Sequence, residues 1–219
     1  MTEKENLFII NKFPVNFCRK LYMRKFLILL SVLVFFIISC AGVQRNVRMI
    51  EEKPEIPFYI MGDGNVSADK MAAFLLMNNP GIDSVFAVSF ARIYIEEASF
   101  EGVNHDVAFS QMCLETGFLR FGGDVKSGQH NFAGLGAVGG GAPGLSFPDP
   151  RTGVRAQIQH LKAYGSEDPL NEPLVNPRFR YVRRGSSPTI EGLAGTWAAD
   201  RQYAFKINAI LNRLYDFSF

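Results

Sequence analysis

"HDVAFSQMCLETGFLRFGG", residues 105–123, is the stretch on which the fold turns. Asn104 is a good N-terminal cap and Gly117 a good stop, so the pattern predicts a buried helix ending at Gly117. One residue sits oddly in it. Glu115 lies among Met112, Cys113, Leu114 and Phe118, where an apolar setting disfavours an ionised carboxylate. The negative end of the helix dipole acts in the same direction. Both effects raise the carboxyl's pKa, and a carboxyl that holds its proton near neutral pH suits general-acid cleavage of a glycosidic bond. The competing reading is a Glu on the helix's wet face, whose neighbours look apolar only along the sequence.

Working outward, Ser67 caps a short predicted helix, "ADKMAAFLLMNN", which Pro80-Gly81 stops. Asp83 caps the next, with Phe86, Phe90 and Ile93 at helical spacing and an end near Gly102. Between Gly122 and Pro150 the composition turns glycine-rich and non-helical, which predicts an irregular loop or hairpin lobe between helices. Helical periodicity returns in "GVRAQIQHLKAYG" from Gly153, with Val154, Ile158 and Leu161 on one face. A proline-broken connection, "EDPLNEPLVNPRFRYVRRGSSP", leads to one or two closing helices between Thr189 and Tyr215. Their stripes hold Leu193, Trp197, Ile207, Ile210, Leu211 and Leu214. The fold class expected is α+β, mainly helical, with a small β or loop lobe.

The N-terminal region has a different texture. Arg24 and Lys25 precede an apolar run, Phe26 to Ile38, too short for a spanning helix but suited to an export signal. It leads into "IISC", which resembles a bacterial lipobox with Cys40 as the lipidated residue; the alternative is an uncleaved anchor helix. Met23 opens a signal of ordinary length, so residues 1–22 are read as the product of an early start codon. The domains expected are a signal at 1–39, a tether at 40–57 and a catalytic domain at 58–219. The signal carries six of the 23 basic residues and two of the 21 acidic ones, which leaves the remainder at a formal charge of −2. That excludes a basic stripe for nucleic acid. With Cys18 and Cys40 outside the domain, Cys113 has no partner and reads as a small core residue.

Two motifs are rejected. "GLGAVG", residues 134–139, matches the dinucleotide glycine pattern, but no buried strand precedes it and no helix follows it. His105, His130 and His160 lack metal-ligand spacing, so neither a metal nor a cofactor is expected.

Four segments together carry a resemblance. "EGVNHDVAFSQMCLETGF", "HNFAGLGA", "SFPDPRTGVRAQIQHLKAY" and "TWAADRQYAFKINAIL" follow one another in the order found in the glucosaminidase family of peptidoglycan hydrolases. The resemblance spans about residues 60–215 and implies a lysozyme-like fold of two lobes with a sugar-binding groove between them. It implies that Glu115 is the catalytic acid and that Tyr203 lines the catalytic centre, a packing tyrosine being the alternative. Asn131, Phe132, Gly134 and His130 fall on the loop that approaches the sugar. Asn131 is expected to hydrogen-bond an N-acetyl group and Phe132 to offer a stacking face. His130 stands where the family carries a first asparagine. Asp200 is expected to brace the Tyr203 helix.

A second catalytic group is less plainly marked. Asp149, and after it Asp124, are the candidate carboxylates; the substrate's own acetamido group is the other route. The activity implied is hydrolysis of β-1,4 bonds of peptidoglycan glycan strands after N-acetylglucosamine, by an exported lipoprotein held to the membrane through Cys40. Ala41 after the cysteine favours the outer membrane or periplasm. The rivals are a lytic transglycosylase on the same fold and a non-catalytic peptidoglycan-binding lipoprotein.

Overall fold

The computed structural model describes residues 53–137 and 139–219. The expected export segment and Cys40 lie outside the described residues.

Among the described residues five helices form the frame: α1 (Ala68–Asn78), α2 (Ser84–Glu101), α3 (His105–Thr116), α4 (Pro150–Gly165) and α5 (Tyr203–Ser218). None of them is long and apolar enough to cross a membrane. Their ends follow local chemistry. Ser67 accepts from Lys70 N, Asp83 from Phe86 N, and Asn104 from the amides of Asp106 and Val107. Such caps satisfy backbone donors that the helix leaves open, each worth about 1 kcal/mol. Gly102 and Gly117 close α2 and α3 in the left-handed conformation.

Helix α3 is the centre. Every residue from Asp106 to Cys113 is buried, the mark of a helix surrounded on all sides. α2 and α5 pack on it, and α2 is held in turn by α1 and α4. α5 contributes a stripe at helical spacing, Tyr203, Ile207, Ile210, Leu211 and Leu214, to the common core. Cys113 is part of that core, and burial pushes its thiol well above the usual range. The α2–α4 seam is polar and buried: Glu97 accepts from Arg151 and Arg155 at 2.8 and 2.7 Å, and Lys162 donates to Glu101 at 2.8 Å.

Of the two forms expected for the Gly122–Pro150 lobe, the structure has the irregular loop: its glycines take left-handed conformations and its backbone pairs across short turns (Leu145 N to Leu135 O, 2.8 Å). Only isolated bridges occur among the described residues, at Tyr59–Thr189, Met61–Val103 and Ala194–Ala198. The closing helix expected across Leu193 and Trp197 is absent: the stretch from Thr189 to Gln202 is a loop of short turns that includes the 3-10 turn Glu191–Leu193, so Trp197 belongs to no helix. Freed from a helix face, its indole reaches the end of α3.

The lobe meets the helices at Gly153, inside α4, where a Cβ would overlap the His130 carbonyl oxygen. Its absence lets the loop lie directly on the helix.

Candidate active site

Glu115 leaves the last turn of α3 and points away from the apolar residues that flank it in sequence. Met112 and Cys113 face the core, while Glu115 opens to solvent along a cleft whose walls crowd it closely. Crowding decides its acidity: burial raises the carboxyl above its ordinary range, and hydrogen bonds from Tyr203 and Trp197 draw it part of the way back.

Both of those bonds fall on one oxygen. The Tyr203 hydroxyl and the Trp197 indole Nε1, the latter at 3.2 Å, donate to Oε1. Oε2 lies under Gly134, 3.4 Å from the position a Cβ would take. With Oε1 taken up by two donors, a proton on the carboxyl sits on Oε2, facing the loop and the cleft. Gly134 adopts φ +63° and carries no side chain to cover that oxygen.

A buried relay orients Tyr203. Tyr94 donates to Gln157 Oε1 at 2.6 Å, Gln157 Nε2 donates to Gln111 Oε1 at 2.9 Å, and Gln111 Nε2 donates to the Tyr203 hydroxyl at 3.0 Å. Because the hydroxyl accepts from Gln111, its own hydrogen is directed at Glu115. Asp200 braces the start of α5, accepting from Gln202 N at 2.9 Å and from Lys206 at 2.6 Å.

Two hollows meet at Gly134 and Ala137. One, of about 160 Å³, is lined by Glu115, Thr116, Phe121, Asp124 and Asn131. The other, of about 180 Å³, is walled by Trp197, Tyr164, His160 and Thr196. A larger hollow of about 610 Å³ lies on the outer face of α2, but its only carboxylate, Glu96, is paired with Arg151. Chemistry rather than size locates the site. Phe121 reaches its wall from a left-handed turn in which Phe118, Leu119 and Phe121 all have φ between 55° and 63°. Non-glycine residues pay roughly 1–2 kcal/mol each for that conformation. Asn79 and Thr116 hold the turn, through Phe118 O and Leu119 N at 2.8 Å each.

Several expected site residues do different work. Asn131 is 1% exposed. Its amide donates to Leu135 O and Leu145 O at 2.9 and 3.0 Å, and its oxygen accepts from Leu135 N at 2.9 Å. It ties the glycine loop together instead of reaching for an N-acetyl group. Phe132 is 3% exposed and packs edge-on against Phe90 at 4.8 Å, so its ring offers no stacking face. His130 ends a tight turn at φ +50° and lines a separate apolar hollow with Phe86 and Leu119. Asp149 caps α4: its exposed carboxylate accepts from the amide and hydroxyl of Thr152, bonds that hold it below the usual range. Asp124 is the acid that shares the Glu115 hollow. In the sequence Trp197 reads as an apolar stripe residue, and no local signal marks Gln111 as a partner of Tyr203.

Among the described residues no cluster of three His, Cys, Asp or Glu side chains is arranged to hold a metal ion. The glycines of "GLGAVG" form turns of the loop, and no strand leads into them.

The model of a known family, Glucosaminidase (mannosyl-glycoprotein endo-beta-N-acetylglucosaminidase), matches residues 91–216, from the middle of α2 nearly to the end of α5. The chain belongs to the glucosaminidase family. At that general level it is a peptidoglycan hydrolase, and its mainly helical build agrees with the lysozyme-like fold of such a domain. A relative from Borreliella burgdorferi, described as an uncharacterized protein, is 41% identical over 169 residues, 77% of this chain and 82% of its own. No solved structure matches. The span matched by the family contains Glu115, Tyr203, Trp197 and the whole relay behind them.

Proposed function

We propose that the protein is an endo-β-N-acetylglucosaminidase that hydrolyses β-1,4 bonds of peptidoglycan after N-acetylglucosamine, with Glu115 as general acid. The observation that carries this reading is the pair of neutral donors on Glu115 Oε1, which leaves Oε2 to hold and deliver the proton. A neutral tyrosine and indole stabilise the carboxylate after transfer without abolishing its proton affinity beforehand, as a cation would.

In this mechanism Oε2 protonates the glycosidic oxygen while positive charge develops at the anomeric carbon. Oε1 remains held by Tyr203 and Trp197, so the carboxylate that forms is already solvated by fixed dipoles. Asp124 takes the place of the second carboxylate. It lines the same hollow and accepts from Gly141 N at 3.2 Å, whereas Asp149 is engaged in capping α4. The same proposal includes export and tethering: residues 1–39 as signal, lipidated Cys40, residues 40–57 as tether, 58–219 as catalytic domain, and the outer membrane or periplasm as the site of action.

The test is digestion of purified peptidoglycan by the full-length chain and by Glu115→Gln, with the fragments read by mass spectrometry. Reducing-end N-acetylglucosamine produced only by the parent supports the proposal. 1,6-Anhydro ends would make the protein a lytic transglycosylase, and binding without cleavage by either chain would make it a wall-binding lipoprotein.

A further inference from the structure

The wall of the Trp197 hollow continues into a part of the chain that the hydrolysis does not use. Between Glu172 and Glu191 there is no acidic residue, yet Arg178, Arg180, Arg183 and Arg184 fall within seven positions. This concentration of charge stands out in a chain whose region beyond the signal is net acidic. Arg178 itself lines the hollow with Trp197, Tyr164 and His160.

The guanidinium groups are held by aromatic faces and backbone oxygens. Arg178 and Arg180 both lie over the Tyr181 ring, 5.3 and 4.9 Å from its centre, and Arg180 donates to the Tyr181 hydroxyl at 2.7 Å. Arg184 lies over Phe179 at 4.7 Å and donates to the carbonyls of Ser166 and Asp168. Among the described residues none of the four forms an ion pair, whereas Arg151 and Arg155 both do. Two like charges sharing one ring repel each other, and an anion between them relieves that repulsion. The planar fork of arginine suits a carboxylate in particular.

We propose that Arg178, supported by Arg180 across Tyr181, is a specificity residue that binds a carboxylate carried by the glycan chain lying across Glu115. This rests on the hydrolase reading above and names the substituent recognised. Geometry favours a glycan-borne anion over a free or membrane-bound one. Arg178 shares its hollow with Trp197, whose indole holds the catalytic acid, so a group bound there belongs to the same substrate. In peptidoglycan the sugar beside each N-acetylglucosamine carries a lactyl ether whose carboxyl is either free or extended by a peptide with carboxylates of its own. The neutral state of His160, whose pKa burial and the nearby Arg178 lower to about 4, leaves arginine as the cation of that wall.

The experiment compares the full-length parent with Arg178→Gln and Arg178→Lys on three soluble substrates. These are glycan fragments bearing stem peptides, the same fragments stripped to free lactyl carboxylates, and neutral chitooligosaccharides. The ratio of kcat/KM on carboxylated to neutral substrate is expected to fall about tenfold in Arg178→Gln, mainly through KM. Lys should restore part of it, and high salt should shrink the difference. A fall on peptide-bearing fragments alone assigns the site to a peptide carboxylate, a fall on the stripped fragments alone assigns it to the free lactyl carboxylate, and a fall on both means that Arg178 takes either. An unchanged ratio, or an equal loss on neutral oligomers, overturns the proposal. Binding of the same fragments is read in parallel as a ratio of Kd values. If the parent binds but does not cleave, the hydrolase reading fails while the subsite still stands or falls on that ratio. Loss of binding to phosphatidylglycerol vesicles with both glycan ratios unchanged would instead make the arginines a membrane contact.

Discussion

The α2–α4 seam and the end of α3 both hold carboxylates, and they do so in opposite ways. At the α2–α4 seam, Glu97 and Glu101 are met by Arg151, Arg155 and Lys162, with the amides of Asn171 and Glu172 closing on Glu101 at 3.0 Å. At the end of α3, Glu115 is met by a hydroxyl and an indole and, among the described residues, by no cation. A cation fixes a carboxylate in its charged form, and the pair then serves to join helices. Neutral donors leave the proton exchangeable. Partner charge separates the acids of the seam from Glu115.

The comparison breaks most visibly at Glu115. Glu115→Gln is expected to lower kcat on peptidoglycan by at least about a hundredfold, with its unfolding transition intact. A wall digest in which this variant keeps full rate would remove the distinction altogether.

At the seam the effect should be on stability instead. Lys162→Met leaves Glu101 buried without its cation, and urea unfolding should show a loss of about 3–5 kcal/mol. Activity per folded molecule should stay near that of the parent. A large loss of kcat with unchanged stability would mean that the seam takes part in the chemistry.

Tyr203→Phe sharpens the comparison from the other side. It removes a donor that favours the ionised carboxylate, so kcat should fall about tenfold and the Glu115 pKa should rise. Activity requires the protonated acid and is lost as pH rises through that pKa. The alkaline limb of the kcat/KM profile therefore moves to higher pH, and a shift to lower pH would contradict the assigned direction of the bond. Trp197→Phe should act in the same sense but more weakly, lowering kcat roughly threefold through its longer bond.

The smallest effect is on the stability of Glu115→Gln. A carboxyl with a raised folded-state pKa costs nothing below its unfolded pKa of about 4.3 and progressively destabilises the fold above it. The variant should thus match the parent at pH 3 and be slightly more stable at pH 7, as thermal unfolding at the two pH values would show.

Much of this is legible in the chain, and the line between legible and hidden follows sequence distance. Ser67, Asp83, Asn104, Gly102 and Gly117 act on backbone groups only a few residues away, so pattern alone places five helix boundaries. Glu115 and Tyr203 stood out through a mismatch of polarity and a family resemblance, and the fold brings them together. Asp149 misled because a carboxylate between two prolines reads equally as a cap or as a base; Thr152 resolves it three residues on. Asn131 and Phe132 lie at the expected loop yet face inward, since that loop has to bind its own backbone and cover Phe90 before it can form a wall.

By itself, then, the sequence determined the helical frame, the family and the acid at the end of α3, because those rest on local hydrogen bonds and side-chain order. Only the tertiary structure decided which oxygen of Glu115 its two donors occupy. That choice depends on Trp197 and Tyr203, which lie 82 and 88 residues away, and on the relay behind Tyr203. Contacts at such separation are fixed by packing around α3, where no periodicity or spacing in the chain records them.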